Sequence, residues 1–356
     1  MNVIGVGVVF TRGRGLDALA KAIQEGWVPP SAGCSASESA ALPAYRVPKE
    51  AYVDKSTARR LRRADRFSRI AAASAMDAVR DSGLEIEATQ ESLGLIMATA
   101  LGPHVTNFSF LDDTLDFGEA LGSPTTFSNS LHNAATSHIA SLLGIRGPTL
   151  TITSFTFAFH EALALAEAWI SEGRCSHVLV GAADECGTVM EYACREKLTI
   201  ATDGKITPFA LAPSPPAVPG EGSAFFLLTG EDAPQRYCRV SAPPERASSV
   251  AATPDVMLLD ADGIGGDEGR YLEEVAERKT RLAAYTPLFG SILTGSSIHA
   301  AIAALMLRNQ ICYASPVADN PHGLEICTDT KPGKVDHIDC VRLDCDGRSR
   351  RISLRT

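Results

Sequence analysis

The segment from Gly147 to Leu163 constrains the fold most, because it reads as a short strand that passes through a tight turn into a helix. Residues 149–152 form a mostly β-branched run after a Gly-Pro break, and residues 158–170 are rich in Ala and Leu. Thr156 falls at the turn, where a side chain lies at the positive end of a helix dipole. A cysteine at such a place would have a lowered pKa and act as a nucleophile. This chain offers a hydroxyl instead.

Further segments resemble, one by one, the characteristic motifs of the β-ketoacyl synthases of the thiolase superfamily. The Gly147 segment is similar to the strand and turn that carry the acyl-accepting cysteine of that family, and the cysteine position falls on Thr156. The other matching segments are Met1–Phe10, the basic run RRLRRADRFSRIAAASAMDAV (Arg59–Val79), LGLIMATA (Leu93–Ala100), SPTTFSNSLHNAATSHIA (Ser123–Ala140), CSHVLVGAADE (Cys175–Glu185) and PGEGSAFFLL (Pro219–Leu228). Arg59–Val79 is interpreted as a helix with a basic start.

The resemblance implies an α/β fold of the thiolase type, a five-layer α-β-α-β-α sandwich built from two similar halves. A chain of 356 residues is long for a single core, which agrees with two halves. We expect a synthase-like N-terminal half over residues 1–237 and a shortened C-terminal half over residues 238–356.

The second half departs from the family where the resemblance places catalytic groups. In DADGIGGDEG, Asp262 stands where the family has its first histidine, and in SILTGSSIHAAIAALML, Ser291 and Ser296 stand at the lysine and the second histidine. The sequence CDGRSRR replaces the usual Phe-Gly turn. His299 is the one histidine near either motif.

These replacements argue against Claisen condensation, which needs a thiolate to hold the acyl group and two imidazole donors for the developing charge. Acyl transfer could still occur with Thr156 as nucleophile and His160 as base, because a spacing of four residues on a helix brings two side chains to one face. His132, Glu185 or a displaced cysteine are other candidates for such an acyltransferase. The alternating rings of Phe155, Phe157 and Phe159 suggest a pocket filled by protein, or ordinary core packing.

Composition and charge exclude several other classes of function. The net charge of −9 argues against nucleic-acid binding, and no run of about 18 apolar residues predicts a membrane span. The N-terminus has no basic region of the kind that begins a signal peptide, so we expect a cytoplasmic protein with reduced cysteines. Cys186 and Cys194 are placed in a loop after a strand and are either idle thiols or reactive ones. No metal or nucleotide motif occurs, so no cofactor is predicted.

The arginines of the basic run stand out in an acidic chain: Arg59, Arg60, Arg62, Arg63, Arg66 and Arg69. The resemblance places this region near the approach of an acyl carrier protein, a small acidic partner that such a patch would attract. A solvated surface, or ion pairs within the chain, is the alternative interpretation of the same residues.

The resemblance also supplies a function without catalysis. Synthases of this family are dimers, and in type II polyketide and aryl-polyene assembly one subunit, the chain length factor, is an inactive copy that pairs with an active synthase. The strand containing Thr151 builds the interface, and bulky residues of the inactive subunit limit the acyl tunnel. By position, the tunnel candidates are Phe108, Phe110, Leu111, Leu115, Phe127, Phe155 and Phe157. The leading hypothesis is such a subunit in a heterodimer; the alternatives are an acyltransferase using Thr156 with His160, and an acyl-binding homodimer.

Overall fold

The computed structural model describes residues 1–30, 42–54, 56–118, 122–231, 237–243, 253–276 and 280–356. The N-terminal elements are, in chain order, β1 (Asn2–Phe10), β2 (Gly13–Arg14), α1 (Leu16–Glu25), α2 (Lys49–Tyr52), α3 (Arg66–Ser82), β3 (Leu93–Thr99), α4 (His104–Phe117), α5 (Pro124–Ser130), α6 (Ala134–Leu143), β4 (Thr149–Thr153), α7 (Ala158–Ser171), β5 (His177–Asp184), α8 (Thr188–Lys197) and β6 (Gly222–Thr229). The remaining elements are β7 (Cys238–Ser241), β8 (Val256–Leu259), α9 (Tyr271–Ala276), β9 (Arg281–Ala283), α10 (Ser296–Asn309), β10 (Ile311–Cys312), β11 (Lys331–Pro332), β12 (His337–Leu343) and β13 (Ser349–Arg355).

Two groups of five strands repeat one pattern. The first group runs in the order β4-β3-β5-β6-β1, and the second continues from it as β7-β13-β12-β8-β9. In each group three strands at the outer edge are mutually parallel and the two inner strands are antiparallel. The groups join where Asn2 and Val3 of β1 pair with Arg239 and Cys238 of β7. This repetition fits the predicted two similar halves, while the boundary at residue 237 stays a prediction.

Helices α7 and α10 form the middle layer between the strand groups. Helix α7 packs on β3 and β5 of the first group and on β7 and β13 of the second, and α10 contacts β1 and β6 as well as β12 and β13. Both helices are rich in Ala, which lets two sheets approach one layer of helices closely. The largest apolar core of the described residues lies in this layer.

The outer layers complete the sandwich. Helix α3 covers β1, β5 and β6, and α6 covers β3 and β4. Gly5 and Gly7 of β1 let α3 come close, because a Cβ atom at either position would collide with the main-chain oxygens of Ala78 or Ser74. On the second group, Tyr271 of α9 packs with Phe209 and Leu211 against the strands. The predicted five-layer α/β fold is confirmed.

Helix α3 corrects the predicted helix over Arg59–Val79. Residues 56–63 form turns, and the helix begins at Arg66. Asp65 is its N-cap, since the Asp65 carboxylate accepts a hydrogen bond of 3.0 Å from the Ser68 N–H. The arginines from 59 to 63 therefore precede the helix.

Candidate functional site

The turn between β4 and α7 holds Thr156, as the sequence predicted, but the hydroxyl has no base beside it in the described contacts. Thr156 is half-buried, and its Oγ1 lies 3.4 Å from the Oγ of Ser154. The Ser154 N–H donates to the carbonyl of Thr99 at the end of the neighbouring strand. Helix α7 starts two residues later, and its N-cap residue Phe157 makes no side-chain capping bond. The turn thus exposes a helix N-terminus without a nucleophile strong enough to use it.

His160 does not pair with Thr156, because α7 begins at Ala158 and Thr156 lies outside the helix on which the spacing argument depended. His160 is buried, and neither ring nitrogen has a hydrogen-bond partner among the described residues. The His160 and Phe157 rings pack edge to face with their centroids 5.5 Å apart. The Cζ atom of the Arg350 guanidinium lies 5.6 Å from the centroid of the Phe157 ring. Burial lowers the pKa of His160 to about 3, so it is neutral at pH 7. The predicted Thr156 and His160 dyad is not formed in this structure.

The positions of the two expected histidines lie in a buried ionic cluster that we call the Arg342 network: Asp260, Asp262, Ser296, His299 and Arg342. The Arg342 Nη1 atom donates to Asp260 Oδ2 at 2.9 Å and to Asp262 Oδ2 at 3.0 Å. The Ser296 hydroxyl donates to Asp260 Oδ2 at 2.6 Å. His299 Nδ1 lies 2.8 Å from Asp260 Oδ1. Three side chains from β12 and α10 therefore share the two carboxylates of the loop after β8.

The tautomer of His299 follows from its second contact. The main-chain N–H of Tyr285 points at His299 Nε2 over 3.2 Å, so Nε2 is an acceptor and the proton of the neutral ring is on Nδ1, facing Asp260. Burial alone would raise the pKa of Asp260, but His299, Arg342 and Ser296 hold it below its ordinary value. Asp262 and Asp260 likewise raise the pKa of Arg342 against its burial. Both shifts favour the charged forms of Asp260 and Arg342 in the folded protein.

Glu268 and Ser291 close the surroundings of Asp262. The Gly263 N–H donates to Glu268 Oε1 at 2.8 Å, and burial raises the pKa of Glu268 to about 8. Ser291, at the expected lysine position, donates its hydroxyl to the carbonyl of Asp262 and accepts from the Val218 N–H at 3.0 Å. Asp262 offers a second oxygen to the Ile264 N–H at 2.9 Å. These polar groups are thus bound to one another and to neighbouring main-chain groups.

The other proposed bases lie apart from Thr156 in the described contacts. Glu185 is buried at the end of β5 and accepts from the Val105 N–H at 3.1 Å, and burial raises its pKa to about 8. His132 is exposed and its ring packs on Gly102. Cys186 and Cys194 are buried, and Cys194 lies in α8, not in a loop as predicted. Among the described residues, no group of three or more His, Cys, Asp or Glu is arranged to hold a metal ion.

Five of the tunnel candidates are exposed, Phe110 is half-buried and one ring is buried. Phe157 is buried, whereas Leu115 is 82% exposed and Phe155 is 63% exposed. Helix α4 packs on α5, α5 on α6, and α6 on β4, so these elements form one side of the molecule. The Phe110 and Phe127 rings lie 5.4 Å apart on it. We call the exposed set the α4–β4 apolar face; its members are Phe108, Leu111, Leu115, Phe117, Phe127, Leu131, Leu150 and Phe155.

The predicted carrier-docking arginines also divide. Arg59, Arg62 and Arg63 are exposed, and Arg60 donates to the carbonyl of Ser141 at 2.6 Å. Arg66 instead donates to the fully buried carboxylate of Glu221 at 2.7 Å and lies over the Tyr52 ring. Its guanidinium is therefore engaged inside the protein, unlike the other four.

Two cavities, of about 630 and 180 Å³, lie away from these residues. The larger is lined by residues such as Met1, Glu167 and Arg239, and the smaller by residues such as Arg12, Tyr45 and Leu288. Within the described ranges no helix is long and apolar enough to cross a membrane.

The family model for the β-ketoacyl synthase N-terminal domain matches residues 1–233. Nodulation protein E of Rhizobium leguminosarum bv. trifolii is 27% identical over 233 residues, which are 64% of this chain and 51% of that protein. The match thus spans about half the length of this curated relative.

Solved structures of the same fold cover the whole chain. The ishigamide ketosynthase/chain length factor has a TM-score of 0.81 at 17% identity, over 100% of this chain and 98% of that one. A β-ketoacyl synthase from Burkholderia phymatum STM815 has a TM-score of 0.79 at 13% identity, covering 100% and 99%. AntDE:AntF, a type II acyl-carrier protein in complex with its ketosynthase bound to the hexaketide, gives 0.74 at 16% identity, covering 100% and 98%.

Proposed function

Because the chain belongs to the β-ketoacyl synthase family, we propose that it is a non-catalytic member, similar to a chain length factor, that pairs with an active ketosynthase in carrier-protein-dependent chain assembly. The pathway would be of the type II fatty-acid, polyketide or aryl-polyene kind. The partner supplies the nucleophile and the imidazole donors, and this chain supplies half of the dimer.

The Arg342 network is the observation that carries the proposal. Asp262 and Ser296 stand at the two expected histidines, and both are buried and bound to Arg342 or to Asp260. Loss of one preorganised donor at an oxyanion costs about 10² to 10³ in rate. Here both donors are replaced, one of them by a carboxylate that would repel a developing anion. Thr156 adds a hydroxyl that no base activates in the described contacts.

The α4–β4 apolar face supports pairing with another protein. Strand β4 is at the end of its strand group and pairs on one side, with β3. No described strand pairs with its other edge, whose hydrogen-bonding groups another strand could satisfy. Eight large apolar side chains are exposed on the adjoining helices and turns, and a contiguous patch of this kind on a folded protein usually marks an interface.

The charge of the face favours a different chain as the partner. Helix α4 carries Asp112, Asp113 and Asp116 and contains no Lys or Arg, and α5 and β4 contain no charged residue. In a symmetric homodimer the same patch lies on both sides of the interface, so acidic α4 would find no basic group of this face opposite. A ketosynthase with Lys or Arg at the corresponding place would pair with better electrostatic complementarity.

The exposed side chains of this face are the proposed wall of the partner's tunnel. Phe108, Leu111, Leu115 and Phe127 of this face and the half-buried Phe110 beside them lie on α4 and α5 and are not part of any apolar core of the described residues. Once the interface forms, these bulky groups would be buried against the partner and could limit the length of a growing chain.

Carrier-protein docking is proposed for Arg59, Arg60, Arg62 and Arg63. All four side chains are exposed and form no ion pair in the described contacts, so they present positive charge to an acidic partner. Arg66 is excluded from this surface by its bond to buried Glu221.

The test combines pairing and acyl transfer. The protein is co-expressed with a ketosynthase encoded beside it, the complex is sized, and intact masses are recorded after incubation with acyl- and malonyl-loaded carrier protein. We expect a 1:1 complex in which only the partner becomes acylated. Thr156→Ala should leave acylation and product formation unchanged, whereas replacing the partner's nucleophile should abolish both.

Matched variants locate the interface. Leu115→Asp should break the complex and leave folding intact, while Val28→Asp, an apolar residue 48% exposed away from the face, should keep it. An acyl adduct on this chain alone that Thr156→Ala removes would establish the acyltransferase alternative and refute the proposal. A homodimer that ignores every co-encoded synthase and binds acyl chains would favour the acyl-binding alternative.

A further inference from the structure

Two buried cysteines of the second half, Cys312 and Cys327, lie with their Sγ atoms only 2.9 Å apart. A disulfide bond is about 2.05 Å long, so the sulfurs are within about 1 Å of bonding distance. Both residues are almost inaccessible, yet Glu325, Thr328 and Lys331 beside them are exposed. The pair lies just below the surface.

Main-chain hydrogen bonds hold both cysteines in place. Cys312 ends β10 and pairs with Lys331 of β11. The Cys327 N–H donates to the carbonyl of Leu282 at 2.8 Å, and the Cys327 carbonyl accepts from the Ser315 N–H at 2.8 Å. Bond formation therefore requires a movement of side chains and little movement of the main chain.

The surroundings distinguish the two thiols. The hydrogen bond from the Cys327 thiol lowers the pKa of Cys312, and the positive charge of Arg281 acts in the same direction. The same contact raises the pKa of Cys327. Because the thiolate is the attacking form, Cys312 is the better nucleophile and Cys327 is placed to resolve it.

We propose that Cys312 and Cys327 are a reversible redox pair, which a low-molecular-weight disulfide such as oxidised glutathione converts to an intramolecular disulfide. The Cys312 thiolate attacks one sulfur of the oxidant, whose S–S bond breaks and releases one glutathione thiolate. Cys327 loses its proton, attacks Cys312 Sγ in the mixed disulfide and displaces the second glutathione. Two protein thiols are oxidised, and one oxidised glutathione is reduced to two thiols.

The disulfide would close a loop over residues 313–326, which is tied to the middle of the molecule. The carbonyl of Tyr313 accepts from the Tyr285 hydroxyl at 2.8 Å, and the Tyr285 main chain holds His299 of the Arg342 network. Closing a loop of this length restricts the unfolded chain, and we expect the Tm to rise by about 5 °C on oxidation. The α4–β4 apolar face is built by other elements, so this inference stands or falls independently of the proposed function.

Peptide masses test the pair directly. The full-length protein is equilibrated in glutathione mixtures, quenched in acid, alkylated under denaturing conditions and digested with trypsin without reduction. Both cysteines fall in one peptide, residues 309–334, because cleavage follows Arg308 and Lys334 while Lys331 precedes a proline. We expect this peptide to appear without alkyl groups and two hydrogens lighter after oxidation, and doubly alkylated after reduction.

Two cysteine variants test the roles of Cys312 and Cys327. Cys345→Ser, which removes an exposed thiol, should leave both the light peptide and the rise in Tm unchanged. Cys327→Ser should trap Cys312 as a glutathione adduct and abolish the rise. A folded protein that returns the doubly alkylated peptide even in fully oxidised glutathione, or that carries glutathione on both cysteines, would overturn the proposal without recourse to any variant.

Discussion

Replacing Arg342 by Met tests whether the Arg342 network holds the second half together. The guanidinium is 3% exposed and makes charge-assisted hydrogen bonds of 2.9 and 3.0 Å to Asp260 and Asp262. Methionine fills much of the same volume but leaves Asp260 with His299 and Ser296 alone and leaves Asp262 with the Ile264 N–H in place of a cation. Breaking a buried ion pair from one side costs about 3–5 kcal/mol, and we expect a loss of that size in the free energy of unfolding at pH 7.

The pH dependence supplies a second signature. The pKa of Asp260 is held below its ordinary value in the folded protein, so its contribution to stability is present above a pH of about 4 and is lost as the pH falls through the folded-state pKa. In Arg342→Met that depression weakens, because the main cation is gone. The difference in stability between the variant and the wild type should therefore persist from neutral pH down to about pH 4 and should shrink as the pH falls further.

Arg350 provides the matched control, because it lies directly opposite Arg342 in the β12 and β13 pair. Its guanidinium contacts the Phe157 ring and has no carboxylate partner in the described contacts, so Arg350→Met should cost at most about 1 kcal/mol. Both variants are compared by urea unfolding at several pH values. Equal stability of Arg342→Met and Arg350→Met at pH 7, with equal m-values, would refute the argument that the network is a structural ion cluster.

Three further outcomes follow from the same contacts. Burial raises the pKa of Glu268 to about 8 in the folded protein, from about 4.3 in the unfolded chain. Between these two pH values the folded state holds a proton that the unfolded state has lost, so stability should fall as the pH rises from about 4.3 to 8. Glu268→Gln should remove this fall, which thermal unfolding between pH 5 and 9 would measure. Arg66→Met should lower the free energy of unfolding in urea by about 3 kcal/mol, because it removes the nearest cation from the buried Glu221 side chain, whereas Arg62→Met, on an exposed side chain, should change stability by less than about 0.5 kcal/mol. Arg62→Glu with Arg63→Glu should weaken carrier-protein binding measured by calorimetry and flatten its salt dependence, while a binding constant equal to that of the wild type would remove this surface from the docking proposal.

Local sequence patterns predicted much of the fold. The strand and helix around Thr156 are observed as Thr149–Thr153 and Ala158–Ser171, since a β-branched run and an Ala-rich run each favour one conformation. The start of α3 was missed although the signal was present: Asp65 is a strong N-cap residue, and the turns before it interrupt the helix that the arginines suggested.

The Arg342 network could not be derived from spacing, because its members are brought together by strand pairing over long sequence separations. Asp260 follows β8, and Arg342 lies in β12, which pairs with β8 in parallel with Leu259 opposite Val341. A weak signal existed in the sequence, since Arg342 interrupts an apolar strand and Asp260 follows the apolar run VMLL. Charges at buried strand positions require a partner, but the sequence alone does not say which.

For the tunnel candidates, the sequence could not predict whether the side chains are buried or exposed. Phe108, Leu111 and Leu115 have helical spacing that suits a core face as well as an interface, and nothing local distinguishes the two. Their exposure is decided by the tertiary position of α4, which packs on α5 and α8 and leaves this side uncovered.

Two physically independent features support the proposed silent subunit. The Arg342 network lies in the interior, where Arg342 pairs with both Asp260 and Asp262, and in the proposal this ion cluster takes the place of the oxyanion donors. The α4–β4 apolar face concerns the surface, where exposed apolar groups reduce solubility unless another protein covers them. An enzyme that had merely lost its chemistry would need neither a satisfied replacement cluster nor an intact interface. The proposed subunit, whose task would be to complete a partner, needs both, because the cluster would keep the fold stable and the face would make the pairing.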